Sequence, residues 1–229
     1  EFDAIYAHYG QAKYAVELLS QDYVNNLSGL DGSLEGTMYK RDSGRKAPHN
    51  AYTTGEGIVA GIQTKGYETK HASDYTGHYK FNEDDSTQIE LTNGQDAAVI
   101  APGYLVNKPW FVYDSETGLY KRFQNGEAQT DGNNGEQVAV KNVIIQICGW
   151  SRMSNDDEYL DMETMAGGNG YYITNGKAIP VTWSKDSLQA PTRYFDADGN
   201  EITLNQGKTW VCVTEDTYAD KIAFYASEE

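Results

Sequence analysis

Lys40-Arg41-Asp42-Ser43-Gly44-Arg45-Lys46-Ala47-Pro48-His49-Asn50 puts four cations, a carboxylate, an imidazole and an amide into one loop's length. The planar guanidinium groups of Arg41 and Arg45 are shaped to fork onto a carboxylate or a phosphate. His49 adds a donor or a proton relay, and Asn50 adds an orienting amide. The same residues also have a structural reading. Asp42 pairs with Arg45, and His49-Asn50 caps the next helix.

The other chemistry-bearing stretches are weaker. Asp156-Asp157-Glu158, with Asp161 and Glu163, offers oxygens to a hard cation. Acids also favour a first helical turn, so a solvated loop leading into a short helix near 157–166 is the preferred reading. In Asp196-Ala197-Asp198-Gly199-Asn200-Glu201 a calcium loop would need Gly at its sixth position and Glu at its twelfth, where Glu201 and Gly207 stand. A hairpin turn is expected there. Gly167-Gly168-Asn169-Gly170 precedes a strand instead of joining strand to helix, so it lacks both nucleotide-binding patterns and reads as close packing or a bulge. No cofactor and no metal are expected. Cys148 and Cys212 lie in apolar runs, as buried thiols or, less favoured, a disulfide. Neither has a neighbouring His, and no Gly-x-Ser-x-Gly elbow occurs. His8, His71 and His78 stand alone and read as structural or exposed.

These residues need elements to position them. Residues 2–8 read as a buried strand. Ala12, Ala15, Val16 and Leu19 recur at helical spacing, which predicts a helix over 11–22. Asn25 to Gly36 is a polar loop. Pro48 moves Ala47 out of the helical region, so the basic motif is extended or turning. Thr53 with Glu56 forms a capping box, followed by an apolar face of Ile58, Val59 and Ile62 and a stop at Gly66. The motif thus precedes a helix N-terminus, where backbone N–H groups favour an anion. Beyond the polar stretch 82–88 the pattern turns to short strands. Turn signals at Asn93-Gly94, Asn125-Gly126, Asp131-Gly132, Asn175-Gly176 and Asp198-Gly199 separate them. The expected class is α+β: an N-terminal α/β domain over 1–85 and an antiparallel β-rich domain over 86–229.

The 229 residues carry 18 basic and 34 acidic side chains, a net charge of −16. Residues 1–81 contribute −2 and residues 82–229 contribute −14. Such a surface repels a phosphate backbone, so nucleic acid is excluded as a partner. No apolar run approaches the ~18 residues that a spanning helix needs. The sequence opens inside an apolar segment, Phe2 to His8, with no signal peptide, which implies an upstream piece.

Arg41-Asp42-x-x-Arg45-x-Ala47-Pro48-His49-Asn50, followed by Tyr52-Thr53, resembles the hallmark of the YerB-like lipoproteins of Gram-positive bacteria. Asp3-Ala4-Ile5-Tyr6-x-His8-x-Gly10 resembles the segment ahead of that hallmark. Tyr120-x-Arg122, Asp131, Lys141 to Gln146, Gly168-x-Gly170, Gly176-Lys177, Trp183-Ser184-Lys185, Pro191-Thr192 and Gly207 to Trp210 resemble the family's C-terminal part. The resemblance covers most of residues 2–213. It implies export, a lipid anchor on an upstream Cys and residence outside the cell at the membrane surface. It implies no enzyme activity. Family members also carry an Arg-containing segment ahead of the opening strand, which this sequence does not include.

Three functions follow as expectations. The first is non-catalytic binding of an anionic ligand, a cell-wall component or an envelope protein, with the membrane reached only through the upstream anchor. Arg41 and Arg45 grip the anion, Asp42, His49 and Asn50 complete the site, and Trp183 and Lys185 join from the second domain. The second is a cell-wall hydrolase with His49 as acid/base near Asp42. The third is a scaffold in which both arginines are satisfied internally.

Overall fold

The computed structural model describes residues 2–84, 86–153 and 159–228. Its contacts divide the chain into two compact units, 2–76 and 77–229. The division falls at 76/77 and not at 85/86, because Lys80 and Asn82 hydrogen-bond to Leu204 and so belong to the second unit.

In the first unit, β1 (Tyr6–His8) and β2 (Asn26–Ser28) pair in parallel, Ala7 opposite Leu27. A short hairpin follows, β3 (Lys40–Arg41) against β4 (Ala51–Tyr52), with the basic motif as its loop. The core is Leu27, Leu34, Met38 and Tyr39, with Ile5, Tyr9, Ile58, Ile62 and Tyr67 packed on it. Of the expected strand 2–8 only 6–8 pair, and only His8 among those three is buried. The expected helix 11–22 shrinks to a 3-10 turn, Lys13–Ala15, and α1 (Val16–Leu19), with no buried residue. Ala and Val at helical spacing carry too little apolar area to fix more.

The helix α2 (Gly55–Lys65) ends in a left-handed Gly66, as its sequence requires. Its cap is Thr54, not Thr53: the Gly57 N–H donates to Thr54 Oγ1 at 3.1 Å. Thr53 instead donates to the Met38 carbonyl at 2.8 Å. Gly57 and Gly61 let the helix backbone close on Met38, where a Cβ would collide. Val59, assigned to the apolar face, is 54% exposed.

The second unit is β-rich. One sheet joins β5 (Gln95–Asp96), β11 (Asn142–Cys148), β14 (Gly167–Thr174), β15 (Lys177–Ser184), β16 (Arg193–Phe195) and β17 (Thr209–Glu215). The other joins β6 (Val99–Pro102), β7 (Trp110–Asp114), β8 (Leu119–Gln124), β9 (Glu127–Ala128), β10 (Ala139–Val140) and β18 (Ile222–Tyr225). Pairing is antiparallel except β11 with β17, which is parallel from Asn142↔Thr209 to Cys148↔Glu215. β11 carries apolar residues on both faces, since each face is covered. Val143 and Ile145 face Phe111 and Tyr120, while Ile144 faces Tyr172 and Trp183. Asn175-Gly176 joins β14 to β15 and Asn125-Gly126 joins β8 to β9, all four residues at positive φ as a tight hairpin needs.

The expected helix near 157–166 is overturned where it is described. β12 (Trp150–Arg152) pairs antiparallel with β13 (Leu160–Met162). Asp156, Asp157 and Glu158 lie outside the described residues. The Asp196 stretch is a turn: its Oδ1 accepts from the Asp198 and Asn200 N–H groups at 3.0 and 2.9 Å. The glycine run makes room, since a Cβ on Gly168 would meet the Ile147 carbonyl and the Trp183 indole.

Both cysteines are free and buried, Cys148 in one core layer and Cys212 in the other. Burial pushes the Cys212 thiol up to about 12. A thiol reagent should therefore label neither in the folded protein and both after denaturation. Rapid native labelling of either would contradict this packing.

Candidate functional site

The basic motif is a turn-rich loop closed by its own polar groups. The Asp42 N–H donates to the Asn50 carbonyl at 2.8 Å, and the Arg45 N–H to the Asp42 carbonyl at 3.3 Å. Asp42 Oδ1 accepts from the Gly44 N–H at 2.8 Å, tightening the turn. Asn50 is 8% exposed and pins the loop from below. Its Nδ2 donates to the Asp42 carbonyl at 3.1 Å, and its Oδ1 accepts from Arg41 Nη1 at 2.8 Å.

Arg41 is held by neutral partners. Besides Asn50, its Nη2 donates to the Tyr9 hydroxyl at 2.9 Å, and its Cζ lies 4.7 Å from the centre of the Tyr9 ring. No carboxylate pairs with it among the described residues. Its orientation is fixed while its charge is not cancelled. Arg45 behaves differently. It is 65% exposed, its Nε is 3.8 Å from Asp42 Oδ2, and its Cζ sits 5.1 Å from the Tyr52 ring centre. An exposed pair at that distance contributes little, so the guanidinium is free to turn to a ligand.

Lys40, Arg41, Asp42, Arg45 and Tyr52 line an open cavity of about 240 Å³. Its lining carries three cations and one carboxylate. His49 is exposed and has no hydrogen-bond partner among the described residues. The hydrolase expectation of a His49–Asp42 pair is therefore not met: Asp42 is engaged by Gly44 and Arg45.

Trp183 and Lys185 belong to the other compact unit and present no surface to a ligand. Trp183 is 2% exposed, and its indole N–H donates to the Ile147 carbonyl at 3.0 Å. Lys185 is 7% exposed, with its Nζ 2.7 Å from the Ala190 carbonyl. Trp183 is turned inward by the register of β15, and Lys185, just past the end of that strand, is held at the Ala190 carbonyl, neither of which sequence spacing disclosed. Sequence reading also missed Tyr9 and did not assign Tyr52 to the site. The residues flanking Tyr9, Tyr6-x-His8-x-Gly10, were the available signal.

Two family models match. One, described as the N-terminal domain of a protein of unknown function (DUF3048), matches residues 1–68. The other, described as the C-terminal domain of the same family, matches residues 100–211. The chain is 25% identical over 228 residues to a Bacillus subtilis (strain 168) protein named "Putative lipoprotein YerB". That alignment covers 97% of this chain and 64% of the relative, so the chain spans under two thirds of its length. The crystal structure of YerB from Bacillus subtilis matches with a TM-score of 0.79 at 24% identity, over 97% of this chain and 71% of that one.

The two polar anchors should separate by stability. Asn50→Ala leaves Arg41 Nη1 without its acceptor and the Asp42 carbonyl with only the Arg45 N–H, and should cost about 1–3 kcal/mol in denaturant unfolding. Arg45→Ala should change stability by no more than about 0.5 kcal/mol. The reverse order would mean that Arg45 is the brace.

Proposed function

As the chain belongs to the DUF3048 family, we propose that it is part of a surface-anchored envelope lipoprotein that binds a small anionic ligand without chemical turnover. The observation that carries this reading is Arg41, fixed by Asn50 and Tyr9 at the wall of a cavity shared with Lys40 and Arg45. Preorganised cations lose little freedom on binding, which favours affinity. Arg41 supplies a fixed charge, Arg45 the mobile grip, and Lys40 the rim. The cavity, at about 240 Å³, is smaller than a pocket for a drug-sized molecule, which supports a terminal carboxylate or phosphate group as the part bound. The chain's net charge of −16 argues against an extended polyanion. A carboxylate-ended cell-wall peptide, or the C-terminus of an envelope protein, fits these limits.

A scaffold reading draws on Arg41, two of whose donors serve the fold. It has no use for Arg45. A thermal-shift titration with soluble cell-wall fragments, acetate and sulfate distinguishes the readings. Ligand at a hundred times its Kd should add about 2.7 kcal/mol and raise Tm by several degrees, and Arg45→Ala should abolish the rise while remaining folded. No rise with any of them, together with a strongly destabilised Arg45→Ala, would replace binding with the scaffold.

A further inference from the structure

Alternation along β14 and β15 puts Ile173, Tyr171 and Asn169 on one face, directly opposite Ala178, Pro180 and Thr182. Ile173 and Ala178 lie in the core shared with Ile100 and Phe111 of the other sheet. Further along the two strands that cover ends. Asn169, Pro180 and Thr182 are exposed, and with Ile147, Tyr171 and Asp196 they line an open groove of about 390 Å³. The groove is an uncovered continuation of the core face.

Its boundary is β18. The Phe224 ring meets the Tyr171 ring edge-on at 4.9 Å and 63°. β18 pairs with β6 alone and ends its sheet. In an antiparallel pair every second residue turns its N–H and C=O away from the partner strand. Among the described residues, the one other backbone hydrogen bond of β18 runs from the Ile222 N–H to the Ala219 carbonyl. Ile222-Ala223-Phe224-Tyr225 contains no proline and no charge to guard that edge. A strand laid beside β18 extends its sheet over the groove.

We propose that the groove and the free edge of β18 form a docking site for an extended, basic segment of another protein, added as a further strand. Main-chain pairing with β18 supplies affinity, and alternate apolar side chains of the segment seat against Ile147, Tyr171 and Pro180. Charge selects the partner. Residues 82–229 carry a net −14. Asp196 stands on the groove, and the Asn200 N–H holds its carboxyl below the usual carboxylate range. Its Oδ2 has only the Asn200 Nδ2, at 3.4 Å, and is open to a cation. A Lys or Arg of the segment therefore faces Asp196. A second copy of this chain, itself at −16, is repelled. With four residues in β18, the segment is short and the complex a small one. All of these residues belong to the unit 77–229, so the docking site stands or falls apart from the anion site at Arg41.

The probe is a display library of random linear peptides panned on the whole chain, with the enriched sequences synthesised for calorimetry. Two variants alter the site and spare the fold. Thr182→Trp puts an indole into the groove from an exposed position. Asp196→Asn keeps an oxygen for the Asp198 and Asn200 N–H groups and removes the charge. The enriched peptides should alternate apolar with polar residues and carry Lys or Arg at one end. They should bind Thr182→Trp about tenfold or more weakly than the unaltered chain. Binding to Asp196→Asn should depend less on salt. Bound peptide should slow amide exchange in β18, and methylating alternate backbone nitrogens of the peptide should abolish binding. Enrichment of no peptide overturns the proposal. So do enriched peptides that bind Thr182→Trp equally well or leave β18 exchange unchanged. A dimer of the free chain in sedimentation that Thr182→Trp dissolves overturns it as well, since the occupant is then a second copy. None of these outcomes bears on the anion site.

Discussion

A guanidinium held by neutral oxygens is fixed in space yet keeps its charge, and the candidate site depends on that arrangement at Arg41. Its partners are an amide oxygen of Asn50 and the hydroxyl of Tyr9. A carboxylate in either place would have cancelled the field that an anion needs. The hairpin carrying Arg41 has two residues in each strand, too few to stand on strand pairing. What holds it is the buried Asn50, bonded to Asp42 through both its backbone and its side chain. Tyr9 is held in turn by Gly29, which lacks the Cβ that would displace its ring. The loop's order thus rests on Asn50, nine residues along the chain from Arg41, and on Tyr9, 32 residues away.

In the second unit a network of polar side chains is buried and answered. Asn142 is fully buried, donating to the Asn205 carbonyl at 2.8 Å and accepting from the Tyr172 hydroxyl at 3.1 Å. Asn205 bonds on to Thr174 and Ile89, so one network ties β11 and β14 to two connecting segments. Among the described residues, Arg122 too is a cation with no carboxylate partner. It is 7% exposed, its Cζ lies 4.4 Å from the Trp210 ring centre, and its Nη1 donates to Gln124 and Gln129. Tyr120-x-Arg122 and Gly207 to Trp210 are far apart in sequence, and the fold brings them together.

Where the sequence read true, the signal was local and the residue type nearly unique for the job. Asn-Gly pairs tolerate positive φ, and two of them are hairpin turns. Gly66 ends α2 for the same reason. The helix over 11–22 and the helix near 157–166 failed because apolar spacing there says nothing about what packs against it. Residues 160–162 are a strand because 150–152 lie beside them. Thr53 and Thr54 both suit a cap, and only the nearby Met38 carbonyl decides between them. Trp183 and Lys185 look like exposed recognition residues, yet both are buried, one on β15 and one just past its end.

The sequence by itself determined the α+β class, the strand-rich second part and the basic motif, because periodicity, turn chemistry and charge are carried by neighbouring residues. Tertiary structure decided which cations are free. Arg41, Arg45, Arg122 and Lys185 are cations alike in the sequence. One is braced by Tyr9, one left in solvent, one sandwiched by Trp210 and one bonded to a carbonyl. Tyr9 and Trp210 lie far along the chain from the cations they hold, and only the fold brings them there. Charge availability, and hence the site, is a property of those distant contacts.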